Sequence, residues 1–341
     1  MRIKKLDSEA LSAWVDGLIR KQPVIGIQAD GDRFAFKPLE RAADLRLDYD
    51  VSKLPPKKFF QPPTETLLRF DKAGRYESVI PKDKFVLFGV HPYDMVALSQ
   101  MARAFSMINC DTHYMTRLQN ATIVVCDVQT ASPNGFSGCM NAATVQEGHD
   151  VLLTKVGDDY VVEAKTTKGK ALMRDLARAP AADKQSLARR EQVWECNRRL
   201  LRRHDLKPAL QDIPALLEKS YDHPVWERRA KLCHSCGSCV IVCPTCLCFD
   251  VRDDVDWDLK GGRRSRTWDG CMLTSFATVA GGHNFRKSRA ERYRHRYYRK
   301  GKYLAEKIGA IACVGCGRCI TACTTQIANP VEVYNSLLEW R

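Results

Sequence analysis

The sequence predicts an α+β protein: a mixed α/β domain over residues 1–166, a helical connector over 167–220, and a helical, cysteine-rich domain over 221–341. Three observations carry that prediction. Two continuous apolar runs in the first half, "KFVLFGV" from Lys84 and "ATIVVCDV" from Ala121, suit strands buried on both faces. Residues 168–219 are rich in Ala, Arg and Leu and carry no strand signal. The last part then holds two tight cysteine runs, "CHSCGSCVIVCP" from Cys233 and "CVGCGRCITAC" from Cys313.

In chain order, Leu11, Trp14, Val15, Leu18 and Ile19 share one face of a first helix, with Asp7 or Ser8 as its cap. "PVIGI" and "RFAFKPL" flank Asp30–Gly31 and read as a hairpin. "LPPKKFFQPP" is an ordered loop or a short extended piece, because proline restricts its own backbone and its predecessor's. "HPYDMVALSQMARAFSM" has a helical pattern, and "DVLLTKVGDDYVVEAKT" is a second hairpin turning at Gly157–Asp159. His91 and Asp94 in "HPYD" read as a turn cap rather than an acid–base pair, since no second carboxylate or nucleophile elbow accompanies them.

At 45% hydrophobic and 9% aromatic content the chain has the composition of a globular protein, and its 341 residues suffice for two or three domains. No apolar run approaches the roughly eighteen residues of a membrane span. Charges interrupt the start, "MRIKKLDSEALSAWVDGLIRK", so it does not read as a signal peptide. Fifteen cysteines without an export signal point to metal ligands in a reducing compartment, so a cytoplasmic protein is expected.

The spacing C-x2-C-x2-C-x3-C occurs twice. A zinc site usually takes two separated pairs, whereas three cysteines at two-residue gaps reach three irons of one cubane from a single tight loop. In this ferredoxin-type pattern the fourth cysteine serves the other cluster. Cys233, Cys236 and Cys239 would then hold one [4Fe-4S] cluster with Cys323, and Cys313, Cys316 and Cys319 a second with Cys243. Gly237 and Gly317 sit where the backbone turns past sulfur. Pro244 after Cys243 fits the pattern, and Thr324 after Cys323 departs from it. Two such clusters, each roughly −2 with its thiolates, would bring the formal charge of +14 down to about +10.

Cys246, Cys248 and Cys271, with His283 as a fourth ligand, are a candidate further iron–sulfur or metal site, weighed against buried structural thiols. Between the runs, nine basic residues from Arg286 to Lys302 face one acid, Glu291. Arg286, Arg289, Arg292, Arg294, Arg296 and Arg299 are candidate docking residues for an acidic partner, with Tyr293, Tyr297 and Tyr298 as a buried stripe on the same helix. The alternatives are a solvated face and, least, nucleic-acid binding, for which no recognised motif is present. No G-x-G-x-x-G follows a strand, so neither flavin nor NAD is expected on this chain.

The segments "PPKKFFQPPTETLLRF", "FGVHPYDMVAL", "CHSCGSCVIVCPTCLCFDV", "RTWDGCM", "VAGGHNFRKSRAERYRHRYYRK" and "CVGCGRC" resemble the iron–sulfur beta subunit of cytoplasmic sulfhydrogenases, a group of NiFe hydrogenases. They also resemble the corresponding iron–sulfur subunit of anaerobic sulfite reductase. The resemblance covers nearly the whole chain. It implies an α/β domain before a helical two-cluster ferredoxin-type domain, relaying electrons between a flavin subunit that meets NAD(P)H and a second catalytic subunit. Members of the family often carry four more cysteines in the first domain, resembling a third cluster site. The matching positions here are Tyr93, Val128, Gly135 and Ser137, and Cys126 and Cys139 are displaced from them by two residues. No cluster is expected in that domain.

The expected function is therefore a non-catalytic electron-transfer subunit of a hydrogenase complex. The alternatives are a relay subunit of a sulfite, sulfur or other reductase, or a metal-site enzyme using Cys246, Cys248 and Cys271.

Overall fold

Two sheets organise the protein, whose computed structural model describes residues 3–339; the outermost residues of the first and last expected domains, 1–2 and 340–341, lie outside the described residues. The helix Ser8–Ile19 starts where the Asp7 carboxylate accepts a 2.7 Å bond from the Ala10 N–H. It buries Leu11, Trp14, Val15 and Leu18, with the Trp14 ring 5.7 Å from Phe88, while Ile19 is only half buried.

In chain order the strands are β1 (Lys4–Leu6), β2 (Val24–Asp30), β3 (Arg33–Pro38), β4 (Thr64–Asp71), β5 (Tyr76–Ser78) and β6 (Phe85–Val90). They continue with β7 (Ala121–Cys126), β8 (Val151–Val156), β9 (Asp159–Ala164), β10 (Phe249–Val255) and β11 (Gly261–Trp268). The main sheet has the order β1-β9-β8-β7-β6-β2-β3. Its centre, β2-β6-β7-β8, is parallel, and the hairpins β2–β3 and β8–β9 add antiparallel neighbours. Both hairpins fall where the turn chemistry put them. The apolar runs of β6 and β7 are buried almost throughout, as strands covered on both faces must be. Residues 167–219 form helices, the longest being Lys184–Leu200, whose Asp183 cap accepts from Ser186 N–H. Among the described residues no helix is long and apolar enough to cross a membrane.

One expectation is corrected. The cysteine-rich part is not purely helical: β10 and β11 form a hairpin, and β11 pairs with β4 of the first part to give a second sheet, β10-β11-β4-β5. The reason it escapes the sequence is that β10, "FDVRDDV", is dominated by charged residues, Asp253 breaks its apolar alternation, and it is largely exposed. Charge pairs hold it instead: Arg264 to Asp253 at 2.7 Å across the hairpin, and Arg266 to Glu65 at 2.6 Å back to β4.

The carboxyl ends of β6 and β7 lead into His91–Asp94 and residues 127–137. At this end of a parallel sheet ligands ordinarily bind; here the second cysteine run docks. Arg318 donates to both Asp94 carboxylate oxygens, at 2.7 and 2.6 Å, and to the Ser52 carbonyl and hydroxyl. One apolar core lies on the main sheet, and a second joins Tyr93, Ala97, Val128 and Phe136 to Trp226, Tyr297 and Tyr334.

Candidate metal centres

Both cysteine runs fold alike. Each is a loop followed by a one-turn helix, Ser238–Ile241 and Arg318–Thr321, that begins after a left-handed glycine: Gly237 at φ +76 and Gly317 at φ +80. A side chain at Gly317 would also meet the Asn134 carbonyl oxygen at 2.4 Å, so both the backbone angle and the packing exclude one. The Ser235 N–H turns to Cys233 Sγ at 3.4 Å, while the Thr245 and Thr325 hydroxyls stand at 3.4 and 3.5 Å from the sulfurs of Cys243 and Cys323.

The eight thiols gather around two separate cavities. One is lined by Cys233, Cys236, Cys239 and Cys323, the other by Cys243, Cys313, Cys316 and Cys319. The two cavities are small and alike, about 30 and 20 Å3. The exposure differs. Cys236 is exposed at the first cavity, while at the second Cys243, Cys316 and Cys319 are buried and Cys313 half buried. Burial pushes the thiols of Cys239 and Cys316 up to about 12 and that of Cys313 up to about 11, so ligation must displace their protons.

Three buried cations compensate this thiol cluster. After the helix Arg289–Tyr298 the chain loosens into a π-helical turn, Arg299–Tyr303. Lys300, in that turn, reaches Cys243 Sγ at 3.1 Å, the Thr245 hydroxyl at 2.8 Å and the Ala312 carbonyl at 3.2 Å. Burial alone would lower its pKa, but thiolates at Cys243, Cys246 and Cys313 hold the ammonium above its usual range. Hydrogen bonding with Cys246, then Lys300, holds Cys243 well below the usual thiol range against its burial. Arg296 lines the second cavity and is 2% exposed; Cys239 of the first set and Cys319 and Cys243 of the second raise its pKa against burial. Its Nε and Nη1 groups have no acceptor among the described residues. Unsatisfied cationic donors beside four thiols suit an anionic, sulfur-rich guest. Lys57 is the third, donating to the Cys246 carbonyl at 2.7 Å with its Nζ 4.3 Å from the Trp268 ring centre.

Other sequence-derived residues separate. His283 is exposed and packs beside Phe285, and no contact joins it to Cys246, Cys248 or Cys271. Among the described residues no three His, Cys, Asp or Glu side chains could hold one metal ion, whereas the thiolates of a cubane bind separate irons. The docking face is smaller than the arginine run suggests. Arg292 and Arg296 are buried, because the helix turns them toward the Ser235 loop and the cysteines. Arg294 lies 3.7 Å over the Tyr221 ring, Arg299 and Arg286 are half buried, and Arg289 is exposed. Tyr293, Tyr297 and Tyr298 form the expected buried stripe, packed on Trp226. His91 occupies the helix N-cap position but caps nothing: it stacks on Tyr49 at 3.8 Å and meets the Tyr93 hydroxyl at 2.6 Å, while Asp94 pairs with Arg318. The sequence reading missed Lys300, Lys57 and the Arg318–Asp94 pair. A lysine beside glycine in "RKGK" was the only local signal for Lys300.

Residues 232–327 match the 4Fe-4S dicluster domain family, which indicates iron–sulfur clusters in this part of the chain. The whole chain is similar to the protein named sulfhydrogenase 2 subunit beta of Pyrococcus furiosus, with 31% identity over 99% of each chain. The chain belongs to the sulfhydrogenase beta-subunit family. At the positions where that family resemblance implied further cysteines, Tyr93 and Val128 are core residues shared with the dicluster domain. Gly135 and Ser137 flank Phe136, whose N–H donates to the Gly315 carbonyl at 2.7 Å. Cys126 lies beside the Asp127 carbonyl and Cys139 beside that of His204, as buried thiols.

Proposed function

We propose that this member of the sulfhydrogenase beta-subunit family relays single electrons through two [4Fe-4S] clusters between a flavin, NAD(P)-linked subunit and a catalytic subunit such as a NiFe hydrogenase. Cys233, Cys236, Cys239 and Cys323 hold one cluster, and Cys313, Cys316, Cys319 and Cys243 the other. A bound cluster takes up and gives back one electron, at a potential set by net charge, hydrogen bonds to sulfur and burial. The chain supplies those three controls. Lys300 and Arg296 offset negative charge beside Cys243 and Cys319, Thr245 and Thr325 stand within reach of ligand sulfurs, and aromatic residues such as Tyr334 and Phe136 keep water from the second cavity.

The observation that supports this reading most is the crossed composition of the two cavities, each taking three thiols from one run and the fourth from the other. The test is iron and acid-labile sulfide per chain on anaerobically purified protein, with EPR of the reduced form. About eight of each are expected, and Cys236→Ala and Cys316→Ala should each lose about four. Unchanged iron in both variants would refute the ligand sets. About twelve iron per chain would require a third centre.

A further inference from the structure

The two cavities are not equally accessible, and the exposed one has an unusual rim. Cys236, at the first cavity, is an exposed thiol, and its loop carries Leu232 at 58% exposure. A second loop packs against it. Leu273 lies where a side chain on Gly237 would be, at 2.7 Å, and the buried Arg292 ties Ser235 (3.0 Å) to the carbonyls of Arg286 and Lys287 (3.0 and 2.6 Å). This brings exposed Phe285, at 64%, together with the exposed side chains of Lys287 and Arg289 to the side of Cys236. From Arg286 to Lys302 nine Lys and Arg face one acid, Glu291, whose carboxylate accepts from the Ser288 N–H between Lys287 and Arg289.

Resting on the two-cluster reading, we infer that this face is the electron port of the chain, and that its occupant is the acidic surface of a one-electron carrier protein. Leu232 and Phe285 supply an apolar centre, and Lys287 and Arg289 a cationic rim. That arrangement steers an acidic partner into contact and then excludes water over the exposed ligand. A carrier that loses one electron reduces the cluster held through Cys236 by one, and no proton or bond changes hands. The second cavity, lined by Phe136 of the first domain, holds only buried or half-buried thiols and no exposed one.

The test uses the anaerobic holoprotein and an acidic [2Fe-2S] ferredoxin as probe, with photoreduced deazaflavin, a small neutral reductant, as reference. In Lys287→Glu/Arg289→Glu, reduction by the ferredoxin should slow about tenfold at low salt, with reduction by deazaflavin unchanged. The difference should close at roughly 0.5 M salt, where the screening length is a few ångströms. Iron content should not change, because both reversals lie at the start of a helix, where acidic groups are favoured. Arg289→Glu alone repeats the test with a single change. Independently of electron transfer, carbodiimide cross-links from ferredoxin carboxylates should map to Lys287. Salt-independent ferredoxin rates, an equal slowing in Arg178→Glu in the helical connector, or cross-links mapping elsewhere would overturn the port. Wild-type protein that carries no iron would instead refute the two-cluster reading on which the port rests.

Discussion

At Lys300 a buried ammonium meets a buried sulfur, 3.1 Å from Cys243. A cation at this distance stabilises the more negative, reduced state of any cluster bound there. Lys300→Met should therefore leave iron content intact and lower one midpoint potential by on the order of 100 mV, from Coulomb attraction at an effective dielectric near 20. An EPR-monitored redox titration reads both clusters, and an equal shift in the two would contradict a contact specific to Cys243. Asp127 titrates alone. It accepts from the Thr154 hydroxyl at 2.6 Å and Trp194 Nε1 at 2.7 Å, its Oδ1 has no partner among the described residues, and burial pushes its pKa up to about 6. The folded value lies above the unfolded one, so the fold favours the neutral acid. That stabilisation is complete below about pH 4 and is lost as pH rises through about 6. Asp127→Asn removes the dependence: relative to wild type, its stability should gain roughly 1 kcal/mol between about pH 5 and 7.5 in denaturant unfolding. A gap that stays constant with pH would show that Asp127 is ionised throughout.

The elements around the cysteines are short, and their geometry depends on turns rather than on helix propensity. The four-residue helix Arg318–Thr321 starts only because Gly317 adopts φ +80 and admits Asn134 against its Cα. Gly282 has nearly the same φ, +79, yet nothing stands within 4 Å of where its side chain would be. Gly282→Ala should then cost about 1 kcal/mol from the backbone angle alone. Gly317→Ala adds a backbone clash and should cost about 3 kcal/mol, with loss of iron from the second cavity. Equal costs, measured by chemical unfolding, would mean that the Asn134 loop yields freely. The hairpin β10–β11 is the opposite case, an element of modest intrinsic preference that persists because Arg266 joins Glu65 and Asp111 and Arg264 joins Asp253.

For the molecule as a whole, the two cores imply unequal dependence on metal. The main-sheet core is built of Val, Ile, Leu and Phe side chains in contact with one another. The second core includes Cys233, Cys316 and their cavities, so its folding is coupled to ligation. Chelator-stripped, reduced protein should keep the strand signal of the main sheet in circular dichroism while a protease cuts within about residues 225–330. Uniform digestion of the whole chain would show that the two parts fold as one unit. The two parts share buried surface, since Tyr93, Val128 and Phe136 pack in the second core.

Much of this was legible because it is local. The period-3.6 face ending at Leu18, the apolar runs of β6 and β7, the turns at Gly31 and Gly157, and the doubled cysteine spacing each depend on a few neighbouring residues. The crossed grouping of the thiols around the two cavities agrees with that spacing, in which a loop this tight would supply three corners of a cubane. Tertiary structure alone decided the rest. Arg292 and Arg296 carry the same charge as Arg289, but the Tyr293–Tyr297 stripe fixes the helix so that they turn inward, and no sequence period distinguishes a buried guanidinium from a solvated one. Lys300 finds Cys243 from 57 residues away, and Arg318 finds Asp94 from 224. β11 joins a sheet begun at Thr64. Contacts of that range are chosen by how elements pack, and charge pairs desolvated by packing leave no periodic trace in the chain.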